Sequence, residues 1–416
     1  MALSIPGMPA IMDFASMILP VTDHSLMPNS DPFPSPTPAG QEAPAPIRYV
    51  RLNPGDPAPW FRQRSTSNPA YAFDTVAGRH VVLLFFISAG DPLSAAALQA
   101  VERNRGLFDD QHCCFFGVSS DADDERQARV RESLPGLRHF WDFDGAVGRA
   151  YGALPMEPQP AGRVTGRRFW LVLDPLLRVD RVFPLLPGGA EQAELFDHLS
   201  RLPPPALHAG RPTQAPVLLL PRVFEPDLCR RLIQHYDAVG GTESGFMREI
   251  DGMTRLVTDP GHKRRRDVEI ADEALIAETR GRIHHRIAPQ IRKAYQFEAT
   301  RMERYLVGCY TAEDGGHFRP HRDNTTRGTA HRRFAVSINL NDDFEGGDIF
   351  FPEFSPEGLV PPPGGAVVFS CSLLHSVRPV TRGRRLAFLP FLYDEPAARI
   401  RAENLRFFEG ADSAGG

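Results

Sequence analysis

The chain has 416 residues, 42% hydrophobic and 24% charged. That suits two or three globular domains and excludes a collagen, a coiled-coil rod and a wholly disordered chain. No stretch approaches the ~20 uninterrupted apolar residues that span a bilayer, so no membrane protein is expected. The formal charge is 47 − 51 = −4. The first 47 residues hold Asp13, Asp23, Asp31 and Glu42 and no Lys or Arg, so the remainder is neutral and a nucleic-acid partner is not expected.

Residues 1–46 contain ten prolines and read as a disordered tail. The apolar piece Ile11–Leu19 is broken by Asp13 and lacks a basic flank, so no secretory signal is expected. Five cysteines, an odd number, fit a reducing, cytoplasmic compartment and no disulfide framework. Lys263 and Lys293 are the only lysines among the 47 basic residues, a bias that suits a GC-rich genome.

A first body is expected over 47–202. His80–Ile87 and Cys113–Ser119 are continuous apolar runs, the mark of strands buried on both faces. Helices are expected over Pro92–Phe108, Asp121–Leu134 and Ala190–Leu202. Two more strands, Arg168–Leu173 and Val179–Phe183, flank an Asp174-Pro175 turn. The alternation predicts an α/β domain with a largely parallel sheet. A Pro-rich linker over 203–216 and a second body over 217–396 follow, with 397–416 as a tail. In the second body Phe224–Tyr236 and Asp272–Tyr295 have helical spacing. Strands are expected at Arg304–Tyr310, Arg333–Leu340, Asp348–Phe351, Ala366–Ser370 and Arg385–Tyr393, which suggests helices packed on an antiparallel jelly-roll barrel.

Cys309–Asn324 carries the chemistry. His321 and Asp323 form a His-x-Asp pair whose side chains share one face of a strand. His375, after the apolar strand Ala366–Ser370, supplies a second imidazole. Two His and one carboxylate on one face of an octahedral ion leave positions open, as in non-haem Fe(II) oxygenases. Arg385, ten residues beyond His375, could grip a carboxylate bidentately.

The ordered set Tyr310, Gly315-Gly316, His321, Asp323, Asn339-Leu340-Asn341, Gly346-Gly347, Phe351-Pro352, Pro363-Gly364, His375, Pro379-Val380 and Arg385 resembles the Fe(II)- and 2-oxoglutarate-dependent dioxygenases of the prolyl-4-hydroxylase-like branch. The resemblance covers about residues 216–395. It implies a double-stranded β-helix, with His321, Asp323 and His375 as catalytic Fe(II) ligands and Arg385 and Tyr310 on the distal carboxylate of 2-oxoglutarate. It implies O2, a small-molecule or peptidyl substrate, release of succinate and CO2, and ascorbate as a candidate reductant. Related halogenases lack the metal carboxylate, so Asp323 favours hydroxylation. Arg384, adjacent to Arg385, should face the other way. His317 reads as a wall or substrate-side residue, and His331 as solvated. The run Lys263–Arg266 reads as a solvated loop, with a place beside the substrate path as the alternative. Cys309 and Cys371 read as small buried hydrophobes.

Residues 47–200 resemble the peroxiredoxin branch of the thioredoxin fold. The match rests on Pro54–Pro59, the strand Val81–Phe86, Phe115–Ser119 with Asp121, and Arg168 before the strand that ends at Asp174. That family carries Thr-x-x-Cys after the first strand, and here Asp91-Pro92-Leu93-Ser94 stands in its place. A hydroxyl is a far weaker nucleophile than a thiolate, and Asp91 would oppose an anion. The domain is therefore expected to lack peroxidase activity and to serve as scaffold, recruiting module or homodimer surface. A thiol peroxidase or redox sensor using Cys113 or Cys114, and a binding module with a silent metal site, are the rival readings.

Overall fold

The computed structural model describes residues 47–157 and 166–408. The expected tail over 1–46 lies outside the described residues. The first body is a five-stranded sheet of β1 (His80–Ile87), β2 (Cys113–Ser119), β3 (Leu137–Trp141), β4 (Phe169–Leu173) and β5 (Val179–Pro184), in the order β3-β2-β1-β4-β5. β1–β2 and β2–β3 are parallel, whereas β1–β4 and β4–β5 are antiparallel. The sheet is thus mixed and not largely parallel, because the short Asp174-Pro175 connection leaves no room for a crossover.

β1 is buried on both faces. Val81, Leu83 and Phe85 join one core cluster, and Val82, Leu84 and Phe86 join another with Ala97 and Val101 of α1 (Pro92–Arg103) and Leu195 and Leu199 of α2 (Gln192–Ser200). The stretch Asp121–Leu134 forms only a short helix, Ala122–Arg126, and β3 follows where no strand was expected.

The second body has helices α3 (Pro226–Val239), α4 (Glu273–Arg286) and α5 (Ala288–Tyr295), the last two divided at Ile287 beside Pro289. A hairpin, β6 (Phe246–Ile250) with β7 (Met253–Val257), was not expected. The large sheet contains β9 (Arg266–Glu269), β10 (Leu306–Thr311), β12 (Phe334–Asn339), β14 (Ala366–Ser370), β16 (Arg384–Phe388) and β17 (Phe391–Tyr393). The last two were expected as one strand, and Pro390 divides them because it cannot donate to the ladder. A smaller sheet runs β8 (Lys263–Arg264), β11 (His317–His321), β15 (His375–Val377), β13 (Ile349–Phe350). All pairings in both sheets are antiparallel.

The outer face of the large sheet packs Val307, Ile338, Leu386 and Phe388 against Leu228 and Leu232 of α3 and Ile283 and Ile291 of α4 and α5. A helix α6 (Glu395–Asn404), capped by Asp394 and with Ala397 buried, and a 3-10 turn, Leu405–Phe407, stand where the start of the tail over 397–416 was expected. Among the described residues no helix is long and apolar enough to cross a membrane.

The two bodies touch closely. Leu374, fully buried, packs into the core of the first body with Phe73, Val76 and Ala77. Gly78 has φ +92°, and a Cβ there would fall 2.7 Å from the Pro352 carbonyl oxygen. Only glycine tolerates both that backbone and that approach.

Candidate metal centre

β11 and β15 bring the candidate ligands together, with His321 directly opposite His375. Asp323 follows two residues after His321. Its Oδ1 lies 3.6 Å from His321 Nε2 and its Oδ2 3.4 Å from His375 Nε2. One donor atom from each residue lies within 4.8 Å of the others, spacing that one ion could bridge. Both rings are held by their other nitrogen: His321 Nδ1 lies 2.8 Å from the Arg319 carbonyl oxygen and His375 Nδ1 3.0 Å from that of Leu373. A proton on each Nδ1 leaves both Nε2 lone pairs free for a metal.

Burial pushes the Asp323 carboxyl up, but the facing imidazoles outweigh it and hold the acid well below the ordinary carboxylate range. Burial, then the charge of His375, pushes His321 down to about 4. The carboxylate is therefore anionic and the His321 imidazole neutral at neutral pH, as ligands must be.

An extra residue between Phe318 and His321 interrupts the β11–β15 register. Phe318 and His321 consequently lie on one side, with rings stacked 3.4 Å apart. His317 does not line the cavity, contrary to expectation. Its Nδ1 lies 2.8 Å from the Gly315 carbonyl oxygen. His331 is buried, not solvated, with Nε2 2.9 Å from Glu303 Oε2.

Tyr310 and Arg385 are direct cross-strand partners on β10 and β16, and both are buried. Arg385 Nε donates to Asn339 Oδ1 (3.0 Å) and Nη2 to Ser337 Oγ (2.8 Å), while buried Nη1 has no partner. A fully buried guanidinium with one free N–H edge suits a carboxylate guest. Arg384 faces outward and pairs with Asp237 of α3, as alternation requires.

The basic run is not a solvated loop. Lys263 and Arg265 are buried and line the same cavity. Arg265 forks onto Asp267 through two 2.6 Å bonds, and its Nη1 lies 3.4 Å from the Tyr310 hydroxyl. Lys263 Nζ donates to Ser244 Oγ (2.7 Å) and the Gly245 carbonyl (2.6 Å). Burial, then the neighbouring Arg265 charge, pushes Lys263 down to about 6. Lys263 on β8, Asp267 on β9 and Arg265 between the two strands stand at alternate positions, the one signal in the sequence that the three share a side.

At the other site, Asp91 caps α1. Its Oδ2 accepts from Ser94 N at 3.0 Å, with Pro92 in the first turn. Ser94 Oγ lies 2.7 Å from the Phe86 carbonyl oxygen and 3.0 Å from Asp91 Oδ2, fully buried. Arg168 lies 3.5 Å from Asp91. A carboxylate thus occupies the helix start. All five cysteines are free and buried. Burial pushes the Cys114 thiol up to about 12 and that of Cys113 well above its ordinary value.

Comparison with known proteins agrees with this division. Residues 305–393 match the 2OG-Fe(II) oxygenase superfamily, and residues 54–179 match the AhpC/TSA family. The chain therefore joins an AhpC/TSA domain to a 2OG-Fe(II) oxygenase domain. That superfamily takes Fe(II) and 2-oxoglutarate, and the His321–Asp323–His375 trio is a fitting donor set. A PKHD-type hydroxylase of Stutzerimonas stutzeri (strain A1501) is 31% identical over 113 residues, 25% of this chain and 48% of the relative. One from Paraburkholderia phymatum is 38% identical over 84 residues, 18% of this chain and 37% of the relative. The chain thus spans about half the length or less of these curated relatives. Among solved structures, a prolyl hydroxylase from Trichoplax adhaerens in complex with a hypoxia inducible factor peptide aligns at a TM-score of 0.35. It shares 17% identity and covers 52% of this chain and 97% of its own. A viral collagen prolyl hydroxylase from Paramecium Bursaria Chlorella virus-1 aligns at 0.31 with 14% identity, covering 42% and 94%.

Proposed function

We propose that the chain is an Fe(II)- and 2-oxoglutarate-dependent dioxygenase that hydroxylates a C–H bond of a small-molecule or peptidyl substrate, with ascorbate as reductant. The observation that carries this reading is one cavity holding both the trio and the unpaired Nη1 edge of Arg385. The large and small sheets read as the two faces of a double-stranded β-helix. We divide the chain at 47–202, 203–216 and a second domain from 217 that takes in α6 beyond the expected end at 396, and place the protein in the cytoplasm.

Bound Fe(II) supplies the redox chemistry that couples decarboxylation of 2-oxoglutarate, to succinate and carbon dioxide, with oxygen insertion into the substrate. His321 and His375 present fixed Nε2 lone pairs, and Asp323 supplies the anionic ligand. Arg385 and Tyr310 take the distal carboxylate of 2-oxoglutarate, with Ser337 and Asn339 holding the guanidinium in place. Burial of Arg385 keeps water from competing for that contact. The first domain, with Ser94 at the nucleophile position and buried thiols, takes no peroxidase role in this reading.

The test is anaerobic loading with Fe(II) and 2-oxoglutarate, followed by oxygen and measurement of succinate. Asp323→Ala should abolish succinate formation, and unchanged turnover would overturn the assignment.

A further inference from the structure

The cleft leading to the trio has walls from both domains. The second domain contributes the β6–β7 hairpin and β8, and the first domain contributes the segment from Asn68 to Arg79 together with Arg62. The cleft encloses about 1050 Å3, large for a pocket that holds a drug-sized molecule. A small diacid such as 2-oxoglutarate fills only a fraction of it.

The first-domain wall is fixed to the metal-bearing segments at two points. Arg322, between His321 and Asp323, donates from Nε to Asp74 Oδ2 (3.0 Å) and from Nη2 to Glu353 Oε1 (2.9 Å), and lies 4.3 Å over the Trp60 ring. Leu374, immediately before His375, is buried in the first domain's core. The wall therefore keeps its place relative to the trio.

Ten cationic side chains and five carboxylates line the cleft. Asp267 is taken by Arg265 and Arg304, Asp74 by Arg322, and Asp323 by the trio. Glu243 and Glu269 sit towards one edge of the large sheet. Among the described residues, Arg62, Arg248 and Arg319 have no carboxylate partner. Arg248 lies 5.1 Å over the Phe246 ring, which packs 4.5 Å from that of His262, and Arg319 N donates to the His262 carbonyl (2.9 Å); the His262 ring lies 6.5 Å from that of His321. Arg248 is half-buried over the Phe246 ring and Arg62 and Arg319 are exposed; guanidiniums without a carboxylate partner attract and orient an anion.

We infer that this two-domain cleft is the substrate site, that residues 68–79 are one of its walls, and that the substrate bears a carboxylate gripped by Arg319, Arg248 and, from the first domain, Arg62. The inference rests on the hydroxylase reading. The carboxylate belongs either to a free acid or to an acidic residue of a peptide, and the experiment separates the two.

The full chain with Fe(II), 2-oxoglutarate and oxygen is given three probe sets: aspartate, glutamate and their N-acyl forms; short peptides rich in Asp and Glu; and the same peptides with Lys at those positions. Succinate release and a mass gain of one oxygen are read. An acidic probe should exceed the Lys peptides at least about tenfold in kcat/KM, and Arg62→Glu and Arg319→Glu should each raise its KM about tenfold. Arg62→Lys, which keeps the charge, should retain most of the affinity and separates charge loss from misfolding. The set that turns over identifies the source of the carboxylate. Preference for the Lys peptides, or charge reversals that leave the KM of the acidic probe unchanged, would overturn the inference while leaving the hydroxylase reading intact. Absence of any succinate, with or without probe, would overturn both.

Discussion

Arg322 and Asp74, 248 residues apart, form a buried ion pair with Nε 3.0 Å from Oδ2. The pair ties the first domain to the short segment between His321 and Asp323. Asp74→Ala leaves Arg322 buried with Glu353 as its remaining carboxylate, and should cost about 2–3 kcal/mol in urea unfolding. Adding Arg322→Met should cost more again, because buried Glu353 then loses its cation, but less than the same change costs with Asp74 present, where two carboxylates are stranded. Full additivity of the two changes would show that the pair is not coupled.

Leu374 is the apolar counterpart of that tie. Leu374→Ala should destabilise the protein by about 2–5 kcal/mol, as for other buried leucines cut to alanine. It should also weaken Fe(II) or Co(II) binding, since Leu374 anchors the residue next to His375. Leu219→Ala is the control: Leu219 is 55% exposed, and its loss should stay within about 0.5 kcal/mol. Equal metal affinity in the two variants would argue against the anchoring role.

Arg385→Lys should raise the 2-oxoglutarate concentration needed for half-maximal spectral change, under anaerobic Fe(II), by about two orders of magnitude. Lysine keeps the charge but loses the fork that Ser337 and Asn339 orient. Arg384→Lys, on the outer face, should leave it unchanged. An equal effect of both would place the carboxylate elsewhere.

How much of this was legible in the sequence varied with how local the cause was. β1 and β2 stood out because both faces are buried, so the runs are unbroken. His321, Asp323 and His375 stood out through spacing, and Arg385 was separable from Arg384 through strand parity. The β6–β7 hairpin was hidden, because its residues are mostly half-buried and mix charge with apolar groups without alternation. Lys263 and Arg265 looked solvated, because their burial depends on Asp267, Ser244 and the sheet they join. Arg322 and Leu374 carried no signal at all, since Asp74 and the core that Leu374 enters lie in another domain.

His139 makes the first domain sensitive to acid. It is 5% exposed, and burial pushes it down to about 4. Above its ordinary value of about 6.5 both folded and unfolded chains hold a neutral ring, and its contribution is constant. Below that the unfolded chain binds a proton that the folded one refuses, so stability falls until about pH 4, by roughly 3 kcal/mol in all. Asp142, pushed up to about 6 by burial, acts with the opposite sign between its ordinary value and 6. The difference between His139→Phe and the parent isolates the histidine. The variant's urea midpoint should fall less from pH 6.5 to 4, and parallel curves would contradict the assignment.

Ser94→Cys should not create a peroxidase. The new thiol would be buried beside the Asp91 carboxylate, which disfavours the thiolate. Native protein should consume no peroxide, and its thiols should react with a disulfide reagent only after unfolding. A low-pKa thiol in the variant, read from the pH dependence of alkylation, would count against this account.

The eight-residue β1 has one further consequence. At about 3.3 Å per residue it holds the Ser94 end and the Gly78 end of the sheet about 25 Å apart. Gly78 meets the oxygenase domain at Pro352, whereas Ser94 lies beyond the opposite end. A species released near Ser94 would therefore start a full strand length away from the face where the two domains meet.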